Sequence, residues 1–366
     1  MPKKILAVIK IPPPVTGATL MNKRLSESNF LNDQFDFHFV RVSYTKDVRD
    51  IGTRPLYKSF KFTGYLLRVL FRILFRRPDL FYIQLSPTGL AFVRDSMLIL
   101  IVKLFAVKHV FHLRSRGIKE KIRNPLLSKY YRFIFRKASV ICLSEFLTSD
   151  IQKVFHGKTY IVHNGMPVYK IFEARLTPPS QPLQVLFLSN LFKSKGVLDY
   201  LMALKIIHVQ GIPFKGVIIG AEADVSKEEL LRQIKNLGLS GNVDYYGPVY
   251  NEEKLKQLQN ADVFVFPTYY EAEAFPGVIL EAMQFELPVI STHECSVPVM
   301  IDDGITGFMV ESRNPDQIAE KLNLLLTDPE KTWMMGKKAR EKYLANFTFH
   351  HFEQRLTKVL HEILGD

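Results

Sequence analysis

Hydrophobic positions in this chain alternate between short apolar runs and longer segments of helical period. Runs such as Ile5–Lys10 and Leu80–Leu85 are apolar and end at turn residues, which is typical of buried strands. Longer segments between the runs, such as residues 90–107, carry apolar residues at helical spacing. A second series of the same kind begins at Gln184. Strands that alternate with helices predict an α/β chain with two doubly wound parallel sheets.

The break between the two series marks a domain boundary. Residues 168–183 contain three prolines and several charges and show no clear period. We therefore predict a first domain over residues 1–167, a linker over 168–183 and a second domain over 184–346. The remaining residues, 347–366, form an amphipathic tail.

One strand–loop–helix segment in the second domain carries two carboxylates. Asp262–Thr268 is predicted to be a buried strand, and a helix is predicted over residues 277–286, with Pro276 near its first turn. A helix start offers N–H groups and a positive dipole end to an anion. Glu273 lies in the entering loop, and Glu281 lies among apolar residues of the helix. Two interpretations stay open: a polyhydroxylated ligand meets these carboxylates, or Glu273 caps the helix and Glu281 pairs with a basic side chain.

A lysine at the start of another helix indicates a phosphate site. Lys195 and Gly196 follow the first strand of the second domain and open the next helix. A lysine beside helix-start N–H groups suits a diphosphate. The alternative is that Lys195 is a solvated lysine at a helix start.

The composition indicates a compartment and excludes some classes of site. Hydrophobic residues make up 47% of the chain, so it is not disordered. The two cysteines, Cys142 and Cys295, fit neither a metal-ligand spacing nor a disulfide framework. The N-terminal Met-Pro-Lys-Lys runs directly into a strand, without the apolar segment of a signal peptide. We expect a cytoplasmic protein that requires no metal.

The net charge of +13 is unevenly distributed. Residues 1–180 contain 31 basic and 11 acidic residues, whereas residues 181–366 contain 18 basic and 25 acidic residues. A basic half predicts a polyanionic partner, either nucleic acid or an anionic membrane. No recognisable nucleic-acid-binding module occurs, so we expect no nucleic acid partner.

A basic amphipathic helix is predicted over Tyr57–Arg77. Its arginines recur every four residues among leucines and phenylalanines, and they interrupt the apolar run too often for a membrane-spanning helix. This pattern is typical of a helix that lies on an anionic bilayer. A packed surface helix with a solvated arginine stripe is the alternative. The candidate membrane contacts are Lys58, Lys61, Arg68, Arg72, Arg76 and Arg77.

These motifs together resemble the family 4 retaining glycosyltransferases. Glu273 and Glu281 form a Glu-x7-Glu pair that Ala-Met follows, and Leu-Pro-Val-Ile-Ser comes next at 287–291. An Asn-Gly turn at 164–165 precedes the linker, and His112 ends a strand where the family usually shows a His-rich turn. The resemblance therefore extends along nearly the whole chain.

The resemblance implies a GT-B fold, in which two Rossmann-like domains face each other across a cleft. The first domain would bind the acceptor, the second would bind the nucleotide sugar, and the tail would pack back on the first. The implied reaction transfers a sugar from a UDP- or GDP-type donor with retention at the anomeric carbon. The implied catalytic residues are Glu273, His112 and Lys195. The implied donor-binding residues are Asn190, Lys195, Gly196, Phe275, Pro276, Gly277, Val278 and Glu281. The implied acceptor-side residues are Thr16, Gly17, Arg114 and Arg116.

The chain departs from the family pattern at two positions. The family commonly places an arginine five residues before the lysine, where this chain has Asn190, which carries no charge. Arg114 stands where a second histidine is commoner. The basic first half suits an anionic, lipid-linked glycan acceptor, which predicts a peripheral enzyme of polysaccharide or glycolipid assembly at the inner face of the cell membrane. The alternatives are a non-catalytic nucleotide-sugar-binding or membrane scaffold, and a sugar phosphorylase or sugar-phosphate synthase.

Overall fold

The structure is a computed structural model that describes residues 2–13, 15–43 and 55–365, with side chains described from residue 61 onward in the helix that begins at Pro55. It divides into two compact units. The first comprises Met1–Gly165 and Phe349–Asp366, and the second comprises Met166–Thr348. The division lies two residues before the predicted linker, and the residues of that linker belong to the second unit.

The first unit is built on a six-stranded parallel sheet in the order β2-β1-β3-β4-β5-β6. Its four central strands are mostly buried and apolar, as a sheet covered on both faces requires, whereas the two edge strands are only partly buried. The strands are β1 (Lys4–Lys10), β2 (Asp36–Val42), β3 (Leu80–Leu85), β4 (His109–Leu113), β5 (Ser139–Cys142) and β6 (Thr159–Ile161).

Helices cover both faces of this sheet. The helices are α1 (Gly17–Ser26), α2 (Asn29–Gln34), α3 (Pro55–Arg76), α4 (Gly89–Leu104), α5 (Ile118–Lys121), α6 (Pro125–Phe135) and α14 (Phe349–Leu364). The strand order moves in one direction from β2 to β3, β4 and β5, so right-handed crossovers place α3, α4 and α6 on one face. The connection from β1 to β2 runs the other way and places α1 and α2 on the opposite face. There, residues of α14 complete an apolar cluster with α1, α2 and the sheet.

The second unit repeats this architecture with a different strand order, β12-β11-β10-β7-β8-β9, again with all pairs parallel. The strands are β7 (Leu183–Leu188), β8 (Phe214–Ile219), β9 (Val243–Tyr245), β10 (Val263–Phe266), β11 (Val289–Thr292) and β12 (Gly307–Val310). The helices are α7 (Val197–Val209), α8 (Lys227–Asn236), α9 (Asn251–Asn260), α10 (Gly277–Gln284), α11 (Val297–Met300), α12 (Pro315–Leu326) and α13 (Pro329–Asn346). The two six-stranded parallel sheets confirm the predicted α/β fold class.

Local sequence signals set several of the helix starts. Asn314 and Asp328 accept hydrogen bonds from backbone N–H groups of α12 and α13, and a proline follows each of them. Ser226 caps α8 in the same way. None of the helices in the described ranges combines the length and the apolar character that a membrane crossing requires.

Candidate active site

The candidate donor site lies at the switch point of the second sheet. Strand order runs outward from β7 through β8 and β9, and outward the other way from β10 through β11 and β12. β7 and β10 are parallel neighbours, so the loops after both strands leave from the same edge. Open α/β sheets bind ligands at this position because the loops diverge there. The loop after β7 carries Lys195, and the loop after β10 carries Glu273.

Lys195 and Glu273 form an ion pair in this structure. The two side chains are only 14% and 12% exposed, respectively. The ammonium group of Lys195 also lies 4.4 Å from the ring centroid of Tyr270 and 5.6 Å from that of Phe266. The two groups that the sequence nominated for diphosphate and sugar are therefore in direct contact, with aromatic rings beneath the cation.

Backbone hydrogen bonds join the two loops and shape the loop that carries Glu273. The N–H of Tyr269 donates to the carbonyl oxygen of Ser194 over 2.8 Å, and the N–H of Glu273 donates to the carbonyl of Tyr270 over 2.8 Å. Gly196 has a positive φ of 84°, and a Cβ there would lie 2.4 Å from the carbonyl oxygen of Pro267. Only glycine fits this close approach, which explains the Lys-Gly pair at the start of α7.

α10 begins beside this pair and carries Glu281. Pro276 is the N-cap residue of α10, one position before the first helical residue. Gly277 and Val278 supply first-turn N–H groups, which such a helix leaves without intrahelical partners. Phe275 is buried and meets the ring of Phe347 edge-on, with 6.1 Å between centroids.

Glu281 is 7% exposed and is ion-paired. Its Oε1 accepts from the ammonium group of Lys254 at 2.6 Å and from the hydroxyl of Tyr169 at 3.4 Å. This geometry agrees with the simpler interpretation of Glu281, a carboxylate paired with a basic side chain. Among the described residues, both bonds reach the same oxygen, which leaves Oε2 for a ligand hydroxyl. Neither partner could be identified from the sequence, because both lie far from Glu281 along the chain.

The residues around Lys195 include no second buried cation on this loop. Asn190 and Lys193 are both exposed. The backbone N–H of Lys193 donates to Asp224 over 2.7 Å, and its side chain is not part of the Lys195–Glu273 pair. Gln284 of α10 accepts from the N–H of Tyr169 and donates to the carbonyl of Pro167, so it ties the start of the second unit to α10.

In the first unit, His112 is fully buried at the end of β4. Its Nδ1 lies 2.5 Å from the hydroxyl of Tyr82. Burial, together with the charge of Arg114, holds the pKa of His112 well below its usual value, and burial raises the pKa of Tyr82. A neutral imidazole that accepts from the phenol carries its proton on Nε2, which finds no partner among the described atoms. In this structure His112 contacts protein and not solvent.

Arg114 and Arg116 lie in the loop after β4. The guanidinium of Arg114 is buried, donates to the side-chain oxygen of Asn164 and lies 5.5 Å from the ring of Phe352. Asp150 holds the end of this loop and the start of α5, because its carboxylate accepts from the backbone N–H groups of Gly117, Ile118 and Lys119 over 2.9–3.0 Å. No pattern in the sequence indicated Asp150.

Thr16 and Gly17 begin α1. The Thr16 hydroxyl accepts from the N–H of Thr19 over 3.2 Å, and the Thr19 hydroxyl lies 2.9 Å from the N–H of Thr16, which is a capping box. A Cβ on Gly17 would meet nothing within 4 Å. The two residues therefore have a local structural explanation in the start of α1.

The predicted membrane residues lie on α3 and just after it. Arg68, Arg76 and Arg77 are exposed, and Arg72 and Lys61 are half-buried. Lys58 lies within α3, but its side chain is outside the described part of the structure. In the described ranges, no group of three or more His, Cys, Asp or Glu side chains is arranged to hold a metal ion.

Comparison with known proteins extends these observations. Residues 169–342 match the family model for glycosyl transferases group 1. The chain is 23% identical over 292 residues to the putative colanic acid biosynthesis glycosyltransferase WcaL of Escherichia coli, a match that covers 78% of this chain and 70% of WcaL. It is 29% identical over 236 residues to the D-rhamnosyltransferase WbpZ of Pseudomonas aeruginosa, covering 62% of this chain and 59% of WbpZ. A crystal structure of Anabaena HepE in complex with UDP superposes with a TM-score of 0.75 at 18% identity, over 98% of this chain and 100% of that one.

Proposed function

We propose that this chain, a retaining glycosyltransferase of the glycosyl transferases group 1 family with the GT-B fold, uses a UDP- or GDP-type sugar donor. Its acceptor in this proposal is a membrane-associated, lipid-linked glycan of cell-surface polysaccharide or glycolipid assembly. The relatives support the polysaccharide context, since WcaL is named for colanic acid biosynthesis. HepE supports the donor type, since its structure contains UDP.

The observation that carries this proposal is the Lys195–Glu273 pair at the switch point, beside the first turn of α10. Lys195 and the α10 N–H groups would stabilise the charge that develops on the leaving diphosphate. Glu273 would accept hydrogen bonds from sugar hydroxyls, and the free oxygen of Glu281 would accept one from the ribose. Since Lys195 supplies the cation, we propose that the reaction needs no resident metal ion.

In the proposed mechanism the acceptor attacks from the same face that the diphosphate leaves. The bond between the anomeric carbon and the diphosphate oxygen breaks, the bond to the acceptor oxygen forms, and the diphosphate takes the acceptor proton. This route retains the anomeric configuration without a covalent enzyme intermediate.

His112 is proposed to assist the reacting sugar, so His112→Ala should lower turnover far more than nucleotide affinity. Equal losses in turnover and in nucleotide affinity would refute that role.

Membrane association follows from the basic first unit. Arg68, Arg72 and Arg76 are proposed to contact anionic lipid and to hold the enzyme at the inner face of the cell membrane, where a lipid-linked acceptor resides. Replacing all three should release the protein from anionic liposomes. Unchanged liposome binding would contradict this part of the proposal.

The first test of function is thermal stability in the presence of UDP, GDP, ADP and CMP in turn, each with magnesium and with a chelator. Ligand at a hundred times its dissociation constant stabilises the native state by about 2.7 kcal/mol. A shift with one nucleoside diphosphate that survives chelation supports the donor site, and its loss in Glu281→Ala supports the ribose contact. No shift with any nucleotide would contradict the proposal.

A transfer assay separates the alternatives. A nucleotide-sugar-binding scaffold would show the melting shift but would neither hydrolyse nor transfer the donor sugar. A sugar phosphorylase would release sugar phosphate when supplied with inorganic phosphate, and a sugar-phosphate synthase would accept a soluble sugar phosphate.

A further inference from the structure

α4 exposes an apolar stripe that the glycosyltransferase chemistry does not use. Its large outward residues recur with alternating spacings of three and four, so they lie along one side of the helix. Leu90 is 74% exposed and Leu104 is 80% exposed. The stripe consists of Leu90, Val93, Met97, Leu100 and Leu104. The opposite side of α4 is buried against the sheet, so this helix is apolar on both sides.

α3 continues the same exposed surface. Phe62, Val69 and Ile73 are buried, whereas the outward side carries four large exposed apolar residues. These are Leu67, Phe71, Leu74 and Phe75. The two helices lie side by side on one face of the sheet, and residues at the end of α3 and just after α4 line a shared cavity of about 580 Å³. Exposed apolar residues grouped on neighbouring helices in this way indicate an interaction site.

α6 borders α4 on its other side. The Ser96 and Tyr130 hydroxyls lie 2.6 Å apart, and the rings of Phe92 and Tyr131 stack at 4.1 Å. Exposed apolar residues of α6 extend the surface, and Phe133 among them lies under the ammonium group of Lys103 at 5.8 Å.

Basic residues border this apolar surface on both sides. On the side of α3, Arg68, Arg72 and Arg76 lie beside the edge strand β2 and line a groove with it. On the side of α6, the exposed basic residues are Lys129, Arg132, Arg136 and Lys137. The three helices contain a single carboxylate, Asp95, which is buried and ion-paired with Lys10 at 3.1 Å. No exposed negative charge therefore interrupts the surface of these three helices over their described side chains.

We propose that the outward side of α3, α4 and α6 is a docking surface for an anionic phospholipid bilayer, with the α4 stripe inserted among the lipids and the arginines of α3 on the headgroups. The purpose of this surface rests on the membrane-associated acceptor of the proposed function. An apolar centre with a basic border matches the layering of a bilayer interface. A second copy of this chain is disfavoured as the occupant, because a symmetric dimer would bring the same basic border against itself.

The test attaches an environment-sensitive fluorophore to single cysteines. Cys142 and Cys295 are buried, so an introduced exposed cysteine is the selective site of labelling. Met97→Cys reports on α4, Phe71→Cys reports on α3, and Leu176→Cys in the second unit is the control, since Leu176 is 88% exposed. Each labelled protein is mixed with vesicles of phosphatidylcholine alone or with added phosphatidylglycerol, an anionic lipid of the kind that attracts basic segments.

We expect a blue shift and a rise in emission at positions 97 and 71 with the anionic vesicles and no change at position 176. Met97→Glu combined with Leu104→Glu should lower the vesicle partition coefficient at least tenfold, whereas Leu176→Glu should leave it unchanged. Retention of the nucleotide melting shift would show that the α4 variant is folded and that the donor site is intact.

Three outcomes overturn the proposal. Vesicle binding without an emission change at position 97 would show that α3 contacts the membrane and that α4 does not. A blue shift that appears without vesicles and rises with protein concentration would identify a second copy as the occupant. No binding to anionic vesicles would remove the surface altogether, while a surviving nucleotide shift would leave the proposed donor chemistry standing.

Discussion

Replacing Glu273 by glutamine should separate nucleotide binding from sugar transfer. In the structure the Glu273 carboxylate holds the ammonium group of Lys195, which is the cation proposed for the leaving diphosphate. Glutamine keeps the size of the side chain and removes its charge. We expect Glu273→Gln to bind a nucleoside diphosphate more tightly, because the carboxylate competes with the diphosphate for Lys195. We expect it to transfer sugar more slowly, because the same carboxylate is proposed to accept hydrogen bonds from the sugar hydroxyls.

The size of both effects follows from the burial of the pair. Two unit charges 4 Å apart interact by about 4 kcal/mol at an effective dielectric constant of about 20. Lys195 keeps its contacts with two aromatic rings, so we assign about 1–2 kcal/mol of this to nucleotide binding, a factor of about 5–30 in the dissociation constant. A lost hydrogen bond to a charged group costs about 1.5–3 kcal/mol, which predicts a fall in kcat/KM of about 10- to 150-fold.

Isothermal titration with UDP and GDP measures the first effect, and a transfer assay with the matching nucleotide sugar measures the second. Glu271→Gln is the matched control, since it removes one negative charge from the same loop two residues away from Glu273. Weaker nucleotide binding in Glu273→Gln, or an equal gain in the control, would refute the competition between carboxylate and diphosphate. Unchanged transfer would refute the contact between Glu273 and the sugar.

Three further predictions follow from single contacts. Lys254→Met should lower the free energy of unfolding by about 3 kcal/mol in urea titrations, because it leaves the buried Glu281 carboxylate unpaired. The double variant Lys254→Met with Glu281→Gln should recover part of that loss. No loss of stability in the single variant would contradict the pairing. Asn190→Arg should tighten UDP binding about fivefold by adding a cation near Lys195. Asn190→Gln is the control. If the arginine variant binds UDP no more tightly than the glutamine variant, position 190 does not face the diphosphate. His112 has a pKa below the unfolded value of 6.5, so the unfolded chain binds the extra proton first and stability falls as the pH drops below about 6.5. His112→Asn should flatten that fall in urea midpoints measured between pH 7.5 and 5.5, and an unchanged slope would assign it to other groups.

The stability of the β4 loop depends on a contact that has no counterpart in any motif. Asp150 accepts three backbone hydrogen bonds, one from Gly117 at the end of the loop that carries Arg114 and Arg116 and two from the start of α5. It stands 33 residues after the first of these donors, and nothing in its local sequence sets it apart from a surface aspartate.

The class of fold and the chemical character of the donor loops can be inferred from local sequence patterns. The alternation of β-branched runs with helical segments requires parallel sheets, because consecutive parallel strands need a crossover helix. Lys195 with Gly196, and Glu273 with Glu281, could be nominated because their spacing is local: each lies in a loop or helix that directly follows its own strand. The period of the arginines on α3 was visible for the same reason, since residues four apart on a helix share a side.

Which of these groups come into contact depends on the packing of distant parts of the chain. Lys195 contacts Glu273 because β7 and β10 are neighbours in the sheet, although 78 residues separate the two side chains. Lys254 and Tyr169 reach Glu281 from other elements, and Tyr82 reaches His112 from an adjacent strand. Burial is likewise a property of the packed chain: the apolar residues of α4 look alike in sequence, and only the position of the helix on the sheet separates its buried side from the exposed stripe. Strand order and packing arise from interactions between residues that are distant along the chain, and a local sequence pattern does not predict such interactions.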